Sequence, residues 1–374
     1  MLIGVVKESL PGEARVALVP DLVGKLTSLG YDVAVEPGAG SLATYADEEY
    51  SAAGARVDDA ALATADVILS VQPLTSQQVR TLASGAAAIS FLPVNRSLDL
   101  IQEMRDLHVT SFAMELVPRI SRAQSMDALS SQALVAGYRC AIVAAGRLRR
   151  FFPLNMTAAG TVPPAEIVVL GAGVAGLQAI ATCKRLGAVV KAYDVRSAAA
   201  EEIRSMGAVA IELDLDTLEG AGGYAREMTE ERADRQRELL APHIAAADAL
   251  ITTAAVPGRT APRLVTAAMV EAMRPGSIVV DLAAESGGNV EGSMPGSVVQ
   301  VGGAQVWGAL NVPSQMPAPA SRLYAQNLVN VVTLMTGEEG FAPDFEDEIV
   351  ATACVTHAGE VKHQPTAEAL EELT

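Results

Sequence analysis

Cysteine is scarce in this 374-residue chain, and Cys140, Cys183 and Cys354 lie far apart in apolar or helical contexts. That distribution speaks against a disulfide framework or a metal site and for reduced core thiols. Histidine is as sparse: His108, His243, His357 and His363 are scattered, and none is read as catalytic. Basic charge is short as well. Lys and Arg number 27 against 44 Asp and Glu, a formal net charge of −17. Such a balance argues against nucleic-acid partners and against anionic lipid surfaces, which attract basic patches. The opening MLIGVVKESLPGEARV lacks a basic segment followed by an apolar core and a small-residue cleavage site, so a cytoplasmic protein is expected. Long hydrophobic runs are missing too. The uncharged, largely apolar stretch 167–183 contains three glycines and Gln178, so no direct lipid insertion is expected.

What is present is apolar and periodic. Half of the residues are hydrophobic, ample for about two domains of ordinary size. Short β-branched runs near 2–6, 32–35, 67–71, 87–92 and 109–114 alternate with helical patterns, which predicts an α/β domain with a parallel sheet. A helical stretch over 126–151, ended by Pro153, bridges to a second series of runs near 167–170, 189–193, 208–212, 249–253, 277–282, 298–301 and 305–308. The proline-rich VPSQMPAPAS marks a second crossover, followed by a helix expected over 322–335 that returns to the first domain. The fold expected is α/β: two Rossmann-like domains with parallel sheets, separated by a cleft and joined by long helices. The first, discontinuous domain would hold 1–125 plus 314–374, and the second 126–313. Residues beyond Asp344 are acidic, and 363–374 reads as a frayed tail.

The second series opens on EIVVLGAGVAGLQAIATCKRLGAVVKAYDVR, 166–196, where Gly171, Gly173 and Gly176 stand at G-x-G-x-x-G spacing between a strand and a helix. Gly171 permits the sharp turn, Gly173 removes a Cβ that would block a pyrophosphate, and Gly176 lets the helix press on the strand. The helix N-terminus then presents N–H groups and the positive end of its dipole to the diphosphate. Asp194 ends the next strand, where a ribose should arrive; its carboxylate accepts from the hydroxyls and repels a 2′-phosphate, so NAD(H) is favoured over NADP(H). Arg196 complicates that reading, since a nearby arginine can receive a 2′-phosphate. A glycine-rich turn alone can be a plain connector; here strand, helix, second strand and acid stand together. Around Gly220–Met228 the chain turns glycine-rich and charged, either a mobile loop whose Tyr224 closes over a cofactor or a simple exposed loop.

The runs PRISRAQSMDALSSQ at 118–132, MTAAGTVPPA at 156–165, GAGVAGLQAIAT at 171–182 and AGGYAREM at 221–228 closely resemble the NAD(H)-binding domain I of proton-translocating nicotinamide nucleotide transhydrogenase. The resemblance covers nearly the whole chain. It implies that this subunit binds NAD(H) and passes a hydride to NADP+ on a separate NADP(H)-binding subunit, with a membrane-spanning subunit coupling transfer to proton translocation. The chain would then be a peripheral subunit on the inner face of the cell membrane, held there by partners, and a homodimer. The resemblance places Arg119, Gln124 and Asp127, with Ser130 beside them, around the nicotinamide. It also implies cofactor contacts from Val174, Asp194, Val195, Arg196, Gln236 and Ala255, and from Gly223 and Tyr224 of the loop.

The chemistry of these residue types agrees. Hydride transfer between two nicotinamides needs orientation at about 3 to 3.5 Å more than acid–base catalysis. Gln124 can hold a carboxamide, Arg119 and Asp127 can fix each other, and Ser130 can add a hydrogen bond. The plainer alternative is that Ser125 and Asp127 cap the long helix. The transhydrogenase family shares its two-domain fold with alanine dehydrogenase, whose substrate pocket carries a lysine, a histidine and an aspartate. Arg15 in GEARVALVP is shared, but Gln72, Pro93 and Glu285 stand at those three positions, so the amino-acid site is expected to be missing. A non-catalytic NAD-sensing module is the rival from another class.

Overall fold

The computed structural model describes residues 1–215, 229–255 and 258–372. They divide into two compact units, Met1–Gln132 with Ser314–Thr374, and Ala133–Pro313. In the first unit, six strands run parallel: β1 (Leu2–Val5), β2 (Asp32–Val35), β3 (Arg56–Val57), β4 (Val67–Leu69), β5 (Ala87–Ser90) and β6 (Thr110–Ala113). β4, β5 and β6 are buried along their whole length, as strands covered on both faces must be, so they read as continuous apolar or small-residue runs rather than alternating ones.

The first strands of the second unit form a small hairpin, β7 (Asn155–Thr157) and β8 (Gly160–Val162). Its main sheet is built from β9 (Glu166–Leu170), β10 (Val189–Tyr193), β11 (Val209–Ala210), β12 (Ala249–Thr252), β13 (Ile278–Asp281), β14 (Val298–Val301) and β15 (Ala304–Gly308). The strand order is β11-β10-β9-β12-β13-β15-β14. Ile167 of β9 pairs with Val190 on one side and Ala249 on the other. The chain therefore winds outward from β9 in one direction and later resumes beside it in the other, leaving a topological switch point at the carboxyl ends of β9 and β12.

The remaining strands belong to the first unit. β16 (Thr336–Gly337) and β17 (Gly340–Phe341) form a ribbon, while β18 (Cys354–His357) and β19 (Glu360–Val361) extend the first sheet to β19-β18-β6-β5-β4-β1-β2-β3. Helix Pro317–Leu334 packs Tyr324, Leu328, Val331 and Val332 into this unit's core. Helix Ala128–Arg147 is, among the described residues, the one helix long and apolar enough to cross a membrane; its Cys140, Ala141 and Ala144 are packed in the second unit's core. Burial pushes the Cys140, Cys183 and Cys354 thiols up to about 12.

Several sequence expectations need correction. Residues 363–372 are not frayed: helix Gln364–Glu371 buries Thr366 and Leu370, and β18 before it pairs antiparallel with β6. The helix expected from Arg322 starts at Pro317, because prolines at the first helical positions lose no hydrogen bond and are no barrier there. The bridging helix begins at Ala128 and ends at Arg147; the residues before it form a 3-10 segment, Ser121–Met126. Both sheets also carry antiparallel edge strands, β14 in one and β18 with β19 in the other.

Candidate functional site

At the switch point the glycine turn has a specific build. Gly171 adopts φ +97°. A Cβ there would lie 2.7 Å from Thr253 Oγ1, so the turn abuts the end of β12. A Cβ on Gly176 would lie 1.9 Å from the Gly171 carbonyl oxygen, so the helix that follows is pressed directly onto the turn. Gly173 differs, since a Cβ there would meet nothing within 4 Å. Helix Val174–Arg185 starts just after it with no side-chain cap, so no capping side chain takes up its first N–H groups beside this open space. Chain geometry thus leaves a cradle where a backbone can approach an anion, which fits a dinucleotide pyrophosphate. Helix Ala128–Arg147 supports the turn from behind, where a Cβ on Gly137 would lie 2.1 Å from the Ala175 carbonyl oxygen.

Asp194 ends β10 beside this cradle. One carboxylate oxygen accepts from the Ala172 N–H at 2.7 Å, and the other accepts from the Arg196 N–H and Nε at 2.9 Å each. Arg196 also donates to the Ala172 carbonyl at 3.2 Å. Arg196, a residue type that can receive a 2′-phosphate, is therefore paired with the neighbouring acid that would repel one. Val174 is exposed at the helix start, and Val195 packs against the core on the other face of the sheet. Gln236 is buried, 1 % exposed, and accepts from the Tyr193 hydroxyl at 3.1 Å. Ala255 lies exposed after β12. Gly223 and Tyr224 lie outside the described residues.

The loop after β12 is held by a network that the sequence did not disclose. Asp281, fully buried at the end of β13, accepts from Thr252 Oγ1 and from the backbone N–H groups of Ala283, Asn289 and Val290. Asn289 in turn grips Ala254 from both sides, accepting from its N–H at 3.0 Å and donating to its carbonyl at 2.7 Å. The one available signal was an acid closing the apolar strand IVVD.

In the first unit, Arg119, Gln124, Asp127 and Ser130 line one depression of about 400 Å3 together with Pro118, Ile120, Ser121 and Ala123. Arg119 and Gln124 are exposed, Asp127 and Ser130 half-buried. The Asp127 carboxylate accepts from the Ser130 N–H at 2.8 Å and from its hydroxyl at 2.6 Å. Asp127 therefore does cap helix Ala128–Arg147, and the capping residue and the pocket residue are the same. Nearby in the same unit, Arg15 and Glu13 form a buried pair at 2.7 Å. Arg15 also donates to Gln132, and Glu13 accepts from Gln72 Nε2 and Ser314. Burial pushes Glu13 up, but the Arg15 guanidinium outweighs it and holds the carboxyl at about 2. Burial raises Glu8 to about 7, against the Val71 and Gln72 N–H groups that it accepts from.

A glycine cradle at the switch point of a doubly wound sheet, joined to a second α/β unit, defines a dinucleotide-binding protein of two Rossmann-like domains. Residues 4–136 match the N-terminal domain, and 140–364 the C-terminal domain, of the family described as alanine dehydrogenase/PNT; the chain belongs to that family. It is 46% identical over 376 residues to an NAD(P) transhydrogenase subunit alpha chain of Rhodospirillum rubrum, covering 97% of this chain and 98% of that one. The solved transhydrogenase of Sinorhizobium meliloti is 50% identical and superposes with a TM-score of 0.89, covering 96% of this chain and all of that one. A solved L-alanine dehydrogenase, 25% identical, gives a TM-score of 0.84 with both chains fully covered.

Proposed function

We infer that this chain is the NAD(H)-binding subunit of a proton-translocating transhydrogenase, working with an NADP(H)-binding subunit and a membrane-spanning subunit, as a homodimer on the inner face of the cell membrane. When bound, NADH supplies the hydride, which passes to NADP+ on the partner. Everything else asked of this chain is grip and orientation. Gly173 admits the pyrophosphate and the N-terminus of helix Val174–Arg185 meets its charge. Asp194 takes the adenosine ribose, with Val174, Val195, Arg196, Gln236, Ala255, Gly223 and Tyr224 as further cofactor contacts. Gln124 holds the nicotinamide carboxamide, and Ser130, its hydroxyl fixed on the Asp127 carboxylate, lines the same pocket with Arg119.

The observation that carries this reading is the open cradle at Gly173 beside a carboxylate-ended strand, in a chain whose relatives include transhydrogenase subunits along its whole length. The test is to mix the chain with an NADP(H)-binding partner domain and follow reduction of an NADP+ analogue by NADH. Turnover supports the reading. Binding of NADH without turnover in that mixture would favour an NAD-sensing module. Oxidation of alanine with NAD+ at ordinary dehydrogenase rates would move the chain to the alanine dehydrogenase branch.

A further inference from the structure

The pocket segment that carries Gln124 and Asp127 is gripped from a helix some two hundred residues away. Ser125 lies between those two residues, and its carbonyl oxygen accepts two hydrogen bonds, from Asn327 Nδ2 at 2.9 Å and from Asn330 Nδ2 at 2.8 Å. The two asparagines are three residues apart, so they share one face of helix Pro317–Leu334. Asn327 is buried, 6 % exposed, and its Oδ1 accepts from the Ser131 hydroxyl at 2.7 Å. One amide thus ties the 3-10 segment Ser121–Met126 to the first turn of helix Ala128–Arg147, the two pieces between which Asp127 sits. Asn330 Oδ1 is held in turn by Gln326 Nε2 at 2.8 Å. Gln132 completes the brace, donating to Ser131 Oγ at 3.2 Å and to the Ala320 carbonyl of the same long helix at 3.1 Å.

A short 3-10 stretch has poor internal hydrogen bonding and cannot by itself hold two side chains to sub-ångström tolerance. Two convergent donors on one carbonyl supply what the stretch lacks. We propose that Asn327 and Asn330 are positioning residues for the Arg119–Gln124–Asp127–Ser130 pocket: they fix the Ser125 carbonyl and thereby set where Gln124 and Asp127 point. They touch no ligand themselves. The proposal rests on the transhydrogenase reading for its kinetic consequence and on hydrogen bonds alone for its structural one.

Two variants test it. Asn330→Ala removes the more exposed donor and leaves buried packing intact. Asn327→Asp is nearly isosteric and keeps the acceptor for Ser131, but its ionised form offers the Ser125 carbonyl no proton. Hydrogen exchange on the isolated chain reads the 121–130 amides; both variants should exchange at least about threefold faster there, while amides of β9 and β10 keep wild-type rates. With the partner domain and saturating NADH, the single-turnover hydride-transfer rate should fall about tenfold in Asn330→Ala, with NADH affinity within about twofold of wild type. In Asn327→Asp the deficit should shrink as pH is lowered, because the protonated carboxyl regains a donor. Unchanged exchange and unchanged transfer rates in both folded variants overturn the proposal. So does a loss of NADH affinity that matches the loss of rate, or a pH-independent deficit in Asn327→Asp. Absence of transfer by the wild-type chain would instead refute the functional reading, leaving the exchange measurement to judge the brace.

Discussion

Alanine at Gly173 and alanine at Gly176 place the same methyl group three residues apart on one turn, with opposite expected consequences. At Gly176 the new Cβ would lie 1.9 Å from the Gly171 carbonyl oxygen and 2.8 Å from its carbon, both backbone atoms in a turn that is itself packed on Thr253. Restoring ordinary contact requires the helix to withdraw by about 1.5 Å, and overpacking of this kind costs about 3 kcal/mol. For a unit of this size that corresponds to a fall in Tm of roughly 6 to 12 °C. At Gly173 nothing lies within 4 Å, and φ −73°, ψ −171° is open to any residue. Stability of Gly173→Ala should therefore stay within about 1 kcal/mol of wild type. Its methyl, however, occupies the space through which a pyrophosphate reaches the first N–H groups of the helix. Losing one or two charge-assisted hydrogen bonds there should weaken NADH binding by at least about tenfold. Thermal melting and titration of NADH fluorescence read the two effects separately. Wild-type NADH affinity in Gly173→Ala would refute the cradle; a wild-type Tm in Gly176→Ala would refute the packing.

Four further outcomes are expected. Asp194→Asn removes the anion that pins Arg196, so the preference for NADH over NADPH should fall by at least about tenfold; an unchanged ratio in parallel titrations would show that the carboxylate does not select. Glu8, at about 7, keeps its proton longer in the fold than in the unfolded chain, so stability should fall as pH rises from about 4.5 to 7, on the order of 3 kcal/mol, whereas Glu13, at about 2, loses its contribution as pH drops from about 4.5 to 2. Urea unfolding across pH should show Glu8→Gln flattening the upper limb only. Asp281→Ala strips a common acceptor from four buried donors and should cost about 3 to 5 kcal/mol, with Asp281→Asn recovering part of it in the same melts. Asp127→Ala should lose about 1 kcal/mol with its cap, while Asp127→Asn should keep most of that and still slow hydride transfer; equal rates for Asp127→Asn and wild type would make the residue a cap alone.

The parts of the chain that were legible are those whose cause is local. Gly171 and Gly176 announce their turn because backbone geometry and close packing demand glycine within six residues, and β9, β10, β12 and β13 announce themselves as β-branched runs. Elements failed to show where the stabilising contact is remote. β18 is four residues long and exists because β6 offers it an edge, and the last helix exists because Thr366 and Leu370 find cover. An acidic, polar-looking segment gives no hint of either. Asp281 and Asn289 are eight residues apart, yet each also bonds a residue of β12 or just after it, Thr252 and Ala254, some thirty positions back. The Glu13–Arg15 pair lay in plain view as charges, but nothing in a sequence says that both are buried and shared with Gln72, Gln132 and Ser314.

Asp127 shows why capping and function need not be competing explanations. An N-cap requires a short side chain whose oxygen is fixed on the N–H three residues ahead, which freezes the rotamer of the capping residue. Here the second oxygen also takes the Ser130 hydroxyl, so one carboxylate immobilises two of the four polar side chains, Arg119, Gln124, Asp127 and Ser130, on which the proposed site rests. Hydride transfer tolerates little positional slack and asks for no proton. A site made from a helix cap and its braced preceding turn supplies rigidity without adding a reactive group. The same physical demand accounts for the two asparagines on Ser125: the turn just before a cap is where an irregular segment would otherwise move, and two residues ahead of Asp127 is where this chain spends two side-chain amides.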